Sequence, residues 1–213
     1  MLPESLESLA EKLTVFPGVG KRSGLKLALD MLQLNDSDHQ ALVRSLEEVK
    51  EKTTFCSNCG FFAQKNSSQE EVLCEICSQK SRNKYQICLV EKPTDIISVE
   101  KSNIYNGHYH VLRHLISPLD NIFPEDTTVS NIFEKRVPQL LDNPTQKIEL
   151  ILFLKAGFAA EATTAYLKEI IAHKGLKDKI SVTRLAQGLP LYYNTDTLDQ
   201  ATMAKALEDR RSI

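Results

Sequence analysis

The sequence predicts a multidomain protein of mixed α and α/β class: an N-terminal helix-hairpin-helix, then a four-cysteine finger, then an α/β domain with a mostly parallel sheet. Three observations carry that expectation. Helical apolar patterns flank a Pro-Gly-Val-Gly turn at 17–20, two Cys-x-x-Cys pairs stand at 56–59 and 74–77, and beyond Lys84 strand-like and helix-like segments alternate. The divisions fall at 1–53, 54–84 and 85–193, with a short C-terminal helix and tail over 194–213.

In the first division Leu6, Leu9, Leu13 and Phe16 recur at spacings of three and four, and Leu25, Leu27, Leu29, Leu32 and Leu34 mark a second apolar helix. Pro17 stops the first helix, Gly18 and Gly20 permit a tight hairpin with exposed backbone, and the second helix then begins with its N–H groups pointing outward. Those donors and the positive end of the helix dipole suit a phosphate oxygen. The stretch from Lys12 to Leu29 contains no acidic residue and carries Lys12, Lys21, Arg22 and Lys26. Arg22 and Lys26 share one helix face. Gly18, Gly20, Lys21, Arg22 and Lys26 are therefore the candidate contacts to a DNA backbone, independent of base sequence and sensitive to salt. A purely structural hairpin is the alternative, while a P-loop fails because no strand precedes the glycines and its spacing is absent. A third helix is expected over 37–51, with Leu42, Val43, Leu46 and Val49 inward and Glu47, Glu48, Lys50 and Glu51 solvated.

Cys56, Cys59, Cys74 and Cys77 form the second division's signature. Two knuckles separated by 14 residues give four sulfurs the spacing of a tetrahedral site, and zinc, held at roughly 2.3 Å by each thiolate, is the metal such a set selects. With four sulfurs bound no position remains for water or substrate, so one structural zinc per chain is expected. Gly60 after the second cysteine supplies the sharp turn that aims backbone N–H groups at sulfur. Two disulfides or a redox pair are the alternatives. The polar tip at 64–71 between the knuckles tolerates disorder.

In the third division strands are expected at 86–90, 109–112, 148–154 and 180–185 and helices at 94–101, 129–141, 160–172 and 202–207. The continuous apolar run from Ile148 to Leu154 fits an interior strand covered on both faces. His108, His110 and His114 lie near a strand and are expected to be exposed or hydrogen-bonded, with no assigned role. Composition narrows the function classes. The chain has 213 residues, five cysteines and a formal net charge of −2. An odd cysteine count argues against a disulfide framework and for a reducing compartment; Cys88, the leftover, reads as a small buried hydrophobe. No run reaches the ~18 apolar residues of a membrane span, and Met1 to Glu11 lacks the basic start and apolar core of an export signal.

Taken in order, Phe-Pro-Gly-Val-Gly-Lys-Arg-Ser at 16–23, the paired cysteine knuckles, Ile-Cys-Leu-Val-Glu at 87–91, Tyr-His-Val-Leu at 109–112, Ile-Ser-Pro-Leu-Asp at 116–120, Glu-Ala-Thr at 161–163 and Arg-Leu-Ala-Gln-Gly-Leu-Pro at 184–190 make the chain resemble the RecR family of bacterial recombination mediators. The resemblance spans nearly the whole chain. It implies a Toprim-like fold for the third division, assembly into a ring-forming homo-oligomer (tetramer or dimer), DNA binding, partnership with RecO and in some bacteria RecF, and a place in the cytoplasm with the nucleoid.

Toprim folds elsewhere carry phosphoryl transfer, which needs clustered carboxylates to hold Mg²⁺. Glu91 matches the first of these. The loop from Lys155 to Glu161 keeps only Glu161 where the family usually has a pair of acids, and Tyr192 and Tyr193 stand where it usually has two glycines. Asp196 and Asp199 follow, and Lys155 opposes a bound cation if it points inward. A chain without catalysis is therefore expected, with Glu91, Glu161, Asp196 and Asp199 as a partner-facing surface. The leading reading is a mediator that helps load the strand-exchange protein at single-strand gaps. A metal-dependent Toprim enzyme and a zinc-stabilised scaffold without DNA binding are the competing classes.

Overall fold

The computed structural model of the chain describes residues 2–65, 71–143, 145–186, 189 and 198–210. Most of the 64–71 tip, together with Tyr192, Tyr193 and Asp196, lies outside the described residues. Two compact units are present, Met1–Thr54 and Phe55–Ile213.

The first unit is helical. α1 (Glu4–Leu13), α2 (Lys21–Leu32) and α3 (Asp36–Lys52) match the three expected helices to within a few residues. Asn35 starts α3 by accepting a hydrogen bond from the Asp38 N–H at 2.9 Å, which satisfies one of the donors that a helix start leaves unpaired. The expected inward face of α3 is not buried: Val43, Leu46 and Val49 are exposed, and so are Leu27, Leu29, Leu32 and Phe16. Three short helices have too little interior to cover every apolar side chain. An open apolar groove of about 500 Å³ results, lined by residues of all three helices, Leu9, Met31, Leu42 and Leu46 among them.

The second unit is built on four parallel strands, β3 (Asn83–Val90), β4 (Gly107–Val111), β5 (Ile148–Phe153) and β6 (Ile180–Arg184), in the order β4-β3-β5-β6. A shorter ribbon, β1 (Thr53–Phe55) with β2 (Phe62–Gln64), and a single turn of helix, α4 (Glu75–Ser78), precede it. Helix α5 (Pro93–Glu100) joins β3 to β4 and begins as its sequence dictates, with Pro93 in the first turn and Asp95 accepting from the Lys92 N–H at 2.8 Å. From Val129 to Leu140 the expected single helix is a composite: α6 (Val129–Asn131), a π-helical segment (Ile132–Arg136) and α7 (Val137–Leu140). Pro138, lacking an N–H and crowding the carbonyl four residues back, accounts for the wider turn before it. α8 (Phe158–His173) joins β5 to β6, and α9 (Gln200–Glu208) closes the described chain.

Alternation along β3 assigns its side chains to two cores. Ile87 and Leu89 belong to a core with Leu150, Ile132, Val137 and Leu167, so the 129–140 segment and α8 cover that face. Cys88 and Val90 belong to the other, which contains Tyr109, Val111, Ile96 and the cysteines of the finger. The finger thus covers one face of the sheet, and Cys88 is the small buried hydrophobe expected, its thiol pushed up to about 12 by burial. β5 is interior, as its apolar run requires. His108 and His110 are buried within β4, where an exposed position was one expectation; only His114 is exposed.

Candidate metal centre and nucleic-acid interface

The sulfurs of Cys56, Cys59, Cys74 and Cys77 all lie within 4.8 Å of one another, and the Cys59 and Cys74 sulfurs are 3.5 Å apart. Ligands at about 2.3 Å around a tetrahedral ion stand roughly 3.8 Å from each other, so the set converges as a four-sulfur metal site does. Each knuckle is shaped by its backbone. Gly60 takes φ +78°, its N–H bonding the Cys56 carbonyl at 2.9 Å, and the Phe61 N–H points at the Cys59 sulfur at 3.4 Å. In the second knuckle the Cys77 N–H points at the Cys74 sulfur at 3.5 Å, while the Asn58 side chain reaches the Cys77 sulfur at 3.6 Å. Ser57 ties the knuckles together through two hydrogen bonds with Val72. Hydrogen bonding among the four thiols lowers the pKa of Cys56 and Cys74 and raises that of Cys59 and Cys77, so the four titrate together and not as separate groups.

The finger is fastened to the edge strand. The Val111 N–H donates to the Cys59 carbonyl at 2.8 Å, and a Cβ at Gly60 would stand 3.2 Å from that of Val111, so glycine is needed for both turn and contact. The outer carbonyls of β4 are also taken. Arg82 donates to Gly107 O, the Arg136 guanidinium to Tyr109 O and the Thr128 hydroxyl to Val111 O. Arg136 projects from the π segment and is almost wholly buried; burial lowers its pKa, and Cys77, Cys59 and Cys56 oppose that shift. Sequence reading missed it because Glu134-Lys135-Arg136 looks like a solvated helix face; a proline two residues on was the available signal.

At the hairpin, Gly18 takes φ +83° and Gly20 is extended at the start of α2. A Cβ at either would meet nothing within 4 Å, so this backbone is open. No side chain caps α2, leaving its first N–H donors for a ligand or solvent. Lys21, Arg22 and Lys26 are exposed, and none forms an ion pair among the described residues. Gly24 is a residue the sequence reading passed over. Its Cβ would stand 2.5 Å from the Ala10 carbonyl, so a bare backbone at 24 lets α1 and α2 approach closely and sets the angle at which the hairpin is presented.

The carboxylates do not gather. Glu91 follows β3 beside the end of β5, at the point where the chain's route through the sheet reverses and such folds place ligands. Glu161, in the first turn of α8, pairs with Arg184 at 2.7 Å; hydrogen bonding and charge from Arg184 hold its carboxyl below the ordinary range. Asp199 caps α9 by accepting from the Thr202 N–H at 2.9 Å and its hydroxyl at 2.7 Å. Among the described residues the acids form no convergent set; the four cysteines do. No helix among the described residues is long and apolar enough to cross a membrane.

Comparison with known proteins agrees with this arrangement. The model of the RecR helix-hairpin-helix matches residues 6–50 and that of the Toprim domain matches residues 85–186. The chain is similar to the Recombination protein RecR of Desulforapulum autotrophicum, 35% identical with 100% of this chain and 99% of the relative covered. It is also similar to those of Oenococcus oeni, 36% identical over 99% and 98%, and Streptomyces avermitilis, 37% identical over 98% and 96%.

Proposed function

The chain belongs to the RecR family of recombination proteins, and from that premise we propose that it is a non-catalytic, DNA-binding mediator of recombinational repair. It acts with RecO, and RecF in some bacteria, to help load the strand-exchange protein at single-strand gaps in the bacterial cytoplasm. The observation that carries the reading is the open start of α2, where Gly18 and Gly20 bare the backbone and Lys21, Arg22 and Lys26 stand exposed with no acidic partner among the described residues. Phosphate oxygens suit N–H donors at a helix start, and Arg22 and Lys26 extend that contact along the backbone. Zinc is the metal of the four-cysteine site, one per chain and structural. A ring-forming assembly, tetramer or dimer, fits the exposed apolar groove of the helical unit.

The absence of catalysis is supported by chemistry at the strand ends. Two-metal phosphoryl transfer needs ions about 3.5–4 Å apart that share several oxygens, whereas Glu161 is engaged by Arg184 and Asp199 caps a helix. Glu91 and Glu161 serve as a charged partner surface in this reading. The test is DNA binding as a function of salt, with and without RecO, by wild type and by Arg22→Ala with Lys26→Ala. Each lost phosphate contact makes the slope of log K against log salt shallower by roughly 0.7–0.9. An unchanged affinity and slope would return the hairpin to a structural role. DNA cleavage or synthesis in Mg²⁺ or Mn²⁺ that vanishes in Glu91→Gln would overturn the mediator reading in favour of an enzyme.

A further inference from the structure

Between Val129 and Leu140 the buried residues are Val129, Ile132, Phe133, Arg136, Val137 and Leu140, the spacing of a single helix face turned to the core. All but Arg136 are apolar. An aliphatic side chain would lie on that face at less cost, because a guanidinium taken out of water loses hydration that an opposite charge must make good. Its hydrogen bond to the Tyr109 carbonyl does not explain the choice. The next outward carbonyl of β4, that of Val111, is satisfied by the neutral hydroxyl of Thr128.

No carboxylate meets this charge. Arg136 is the one buried lysine or arginine among the described residues, and the buried residues there include no aspartate or glutamate. None of the ion pairs among the described residues involves it. The histidines of β4 are neutral companions: burial, and after it the Arg136 charge, pushes the His110 ring down to about 3 and holds His108 below its ordinary range. What remains is sulfur. Tyr109 and Val111 are alternate residues of one strand, about 6.6 Å apart along it. Arg136 takes the carbonyl of the first and Cys59 takes the N–H of the second at 2.8 Å, so the guanidinium and the first knuckle occupy neighbouring places on one strand edge. Cys77, Cys59 and Cys56 are the groups whose negative charge favours the ionised guanidinium. A divalent ion held by four thiolates keeps a surplus of negative charge, since the anionic sulfurs outnumber the charges of the metal. Arg113 and Lys135 also stand beside the first knuckle, but both are exposed, where water and salt screen them. Arg136 is shielded from both.

We propose that Arg136 is the internal counter-charge of the four-cysteine centre, set against the surplus negative charge of its thiolates and strengthening their hold on the ion. The proposal rests on the reading of those cysteines as a zinc site. Its test uses the full chain and two substitutions. Arg136→Gln keeps a neutral donor for the Tyr109 carbonyl and removes the charge, whereas Arg136→Lys keeps the charge and loses the planar fork. Zinc is titrated against a competing chelator, and Co²⁺ spectra check that the four-sulfur geometry is retained. Groups that support metal ligands from behind contribute about 10–100-fold to affinity, so Arg136→Gln is expected to weaken zinc binding at least about tenfold and Arg136→Lys less than about threefold. Any result in which the lysine variant holds zinc no more tightly than the glutamine variant overturns the proposal, because the hydrogen bond to Tyr109 and not the charge would then be what Arg136 supplies. If Arg136→Gln does not fold, Cys77→His carries the test from the other side. Three thiolates and an imidazole still bind zinc, with one negative charge fewer, and the zinc-loaded protein should then show faster hydrogen exchange at the amides of 132–136 than wild type. Unchanged exchange there overturns the proposal. If wild type itself binds no zinc, the zinc reading falls and the counter-charge with it; zinc binding by wild type with no advantage of lysine over glutamine removes the counter-charge alone.

Discussion

At the scale of single residues, the clip between Arg82, Glu100 and Tyr109 fixes the start of β3 to the end of α5 and to β4. Arg82 pairs with Glu100, and the Tyr109 hydroxyl donates to the same carboxylate at 2.6 Å. Burial alone would raise the Glu100 pKa, but hydrogen bonds from Arg82 and Tyr109 and the charge of Arg82 hold it below its ordinary range. A carboxyl whose folded pKa is depressed stabilises the fold above its unfolded pKa, about 4.3, and that stability is lost as pH falls through the folded value. Glu100→Gln is therefore expected to cost about 1–2 kcal/mol at pH 7, between an exposed and a fully buried pair. The gap between wild type and variant should begin to narrow below about pH 4 and shrink further as pH falls through the folded value; urea unfolding at pH 7, 5 and 3 checks it, and a gap as large at pH 3 as at pH 7 would remove the ionic explanation. Residues of this kind were the least legible in the sequence. Cys56, Cys59, Cys74 and Cys77 announce themselves through spacing, because a metal demands fixed donors at fixed separations. Gly24 and Arg136 do not, because their roles depend on which neighbour the fold brings against them.

At the scale of elements, strand and helix order followed from apolar periodicity, and the structured segments begin and end close to where turn residues and prolines put them. The misjudged elements have two causes: a local one at the composite helix, where Pro138 widens the turn before it, and a tertiary one at α3, whose apolar face finds no cover within its own unit. The finger was legible as a metal site but not as a lid on the sheet, since nothing in two Cys-x-x-Cys pairs says what the knuckle will touch. Its docking gives a prediction. Structural zinc in small fingers is worth about 10–16 kcal/mol apparent, so chelation should unfold the knuckles and free the Val111 N–H from the Cys59 carbonyl. Hydrogen exchange should then accelerate at Val111 and at Gly60, Phe61 and Cys77, while interior β5 amides change far less. Exchange at Val111 that ignores chelation would mean that the finger is not what holds the edge strand.

At the scale of the whole molecule, the exposed apolar groove of the helical unit is the feature that a single copy of the chain leaves unfinished. Contiguous apolar surface of this kind marks an interaction site. Leu46, 61% exposed on α3, is not part of a buried core, so if copies of the chain assemble through this groove, as proposed, Leu46→Glu should preserve helicity while lowering the mass read in sedimentation or light scattering. Unchanged mass would place the contacts between copies elsewhere. The leucines were legible in the sequence, and a ring is what the family resemblance implies, but an inward face for α3 was the wrong inference from periodicity, which reports that a face is apolar and not what covers it. The fastening of β4 has one more consequence. A parallel sheet ends in two bare edges unless something covers them. Here Arg82, Arg136 and Thr128 take the outward carbonyls of β4, and the Cys59 carbonyl takes the Val111 N–H. The four-cysteine knuckle is thereby part of that edge's cover: if the site holds an ion, as proposed, its loss frees the Val111 N–H at the rim of Gly107–Val111, a donor able to recruit a strand from another chain, so metal starvation is expected to show itself as aggregation.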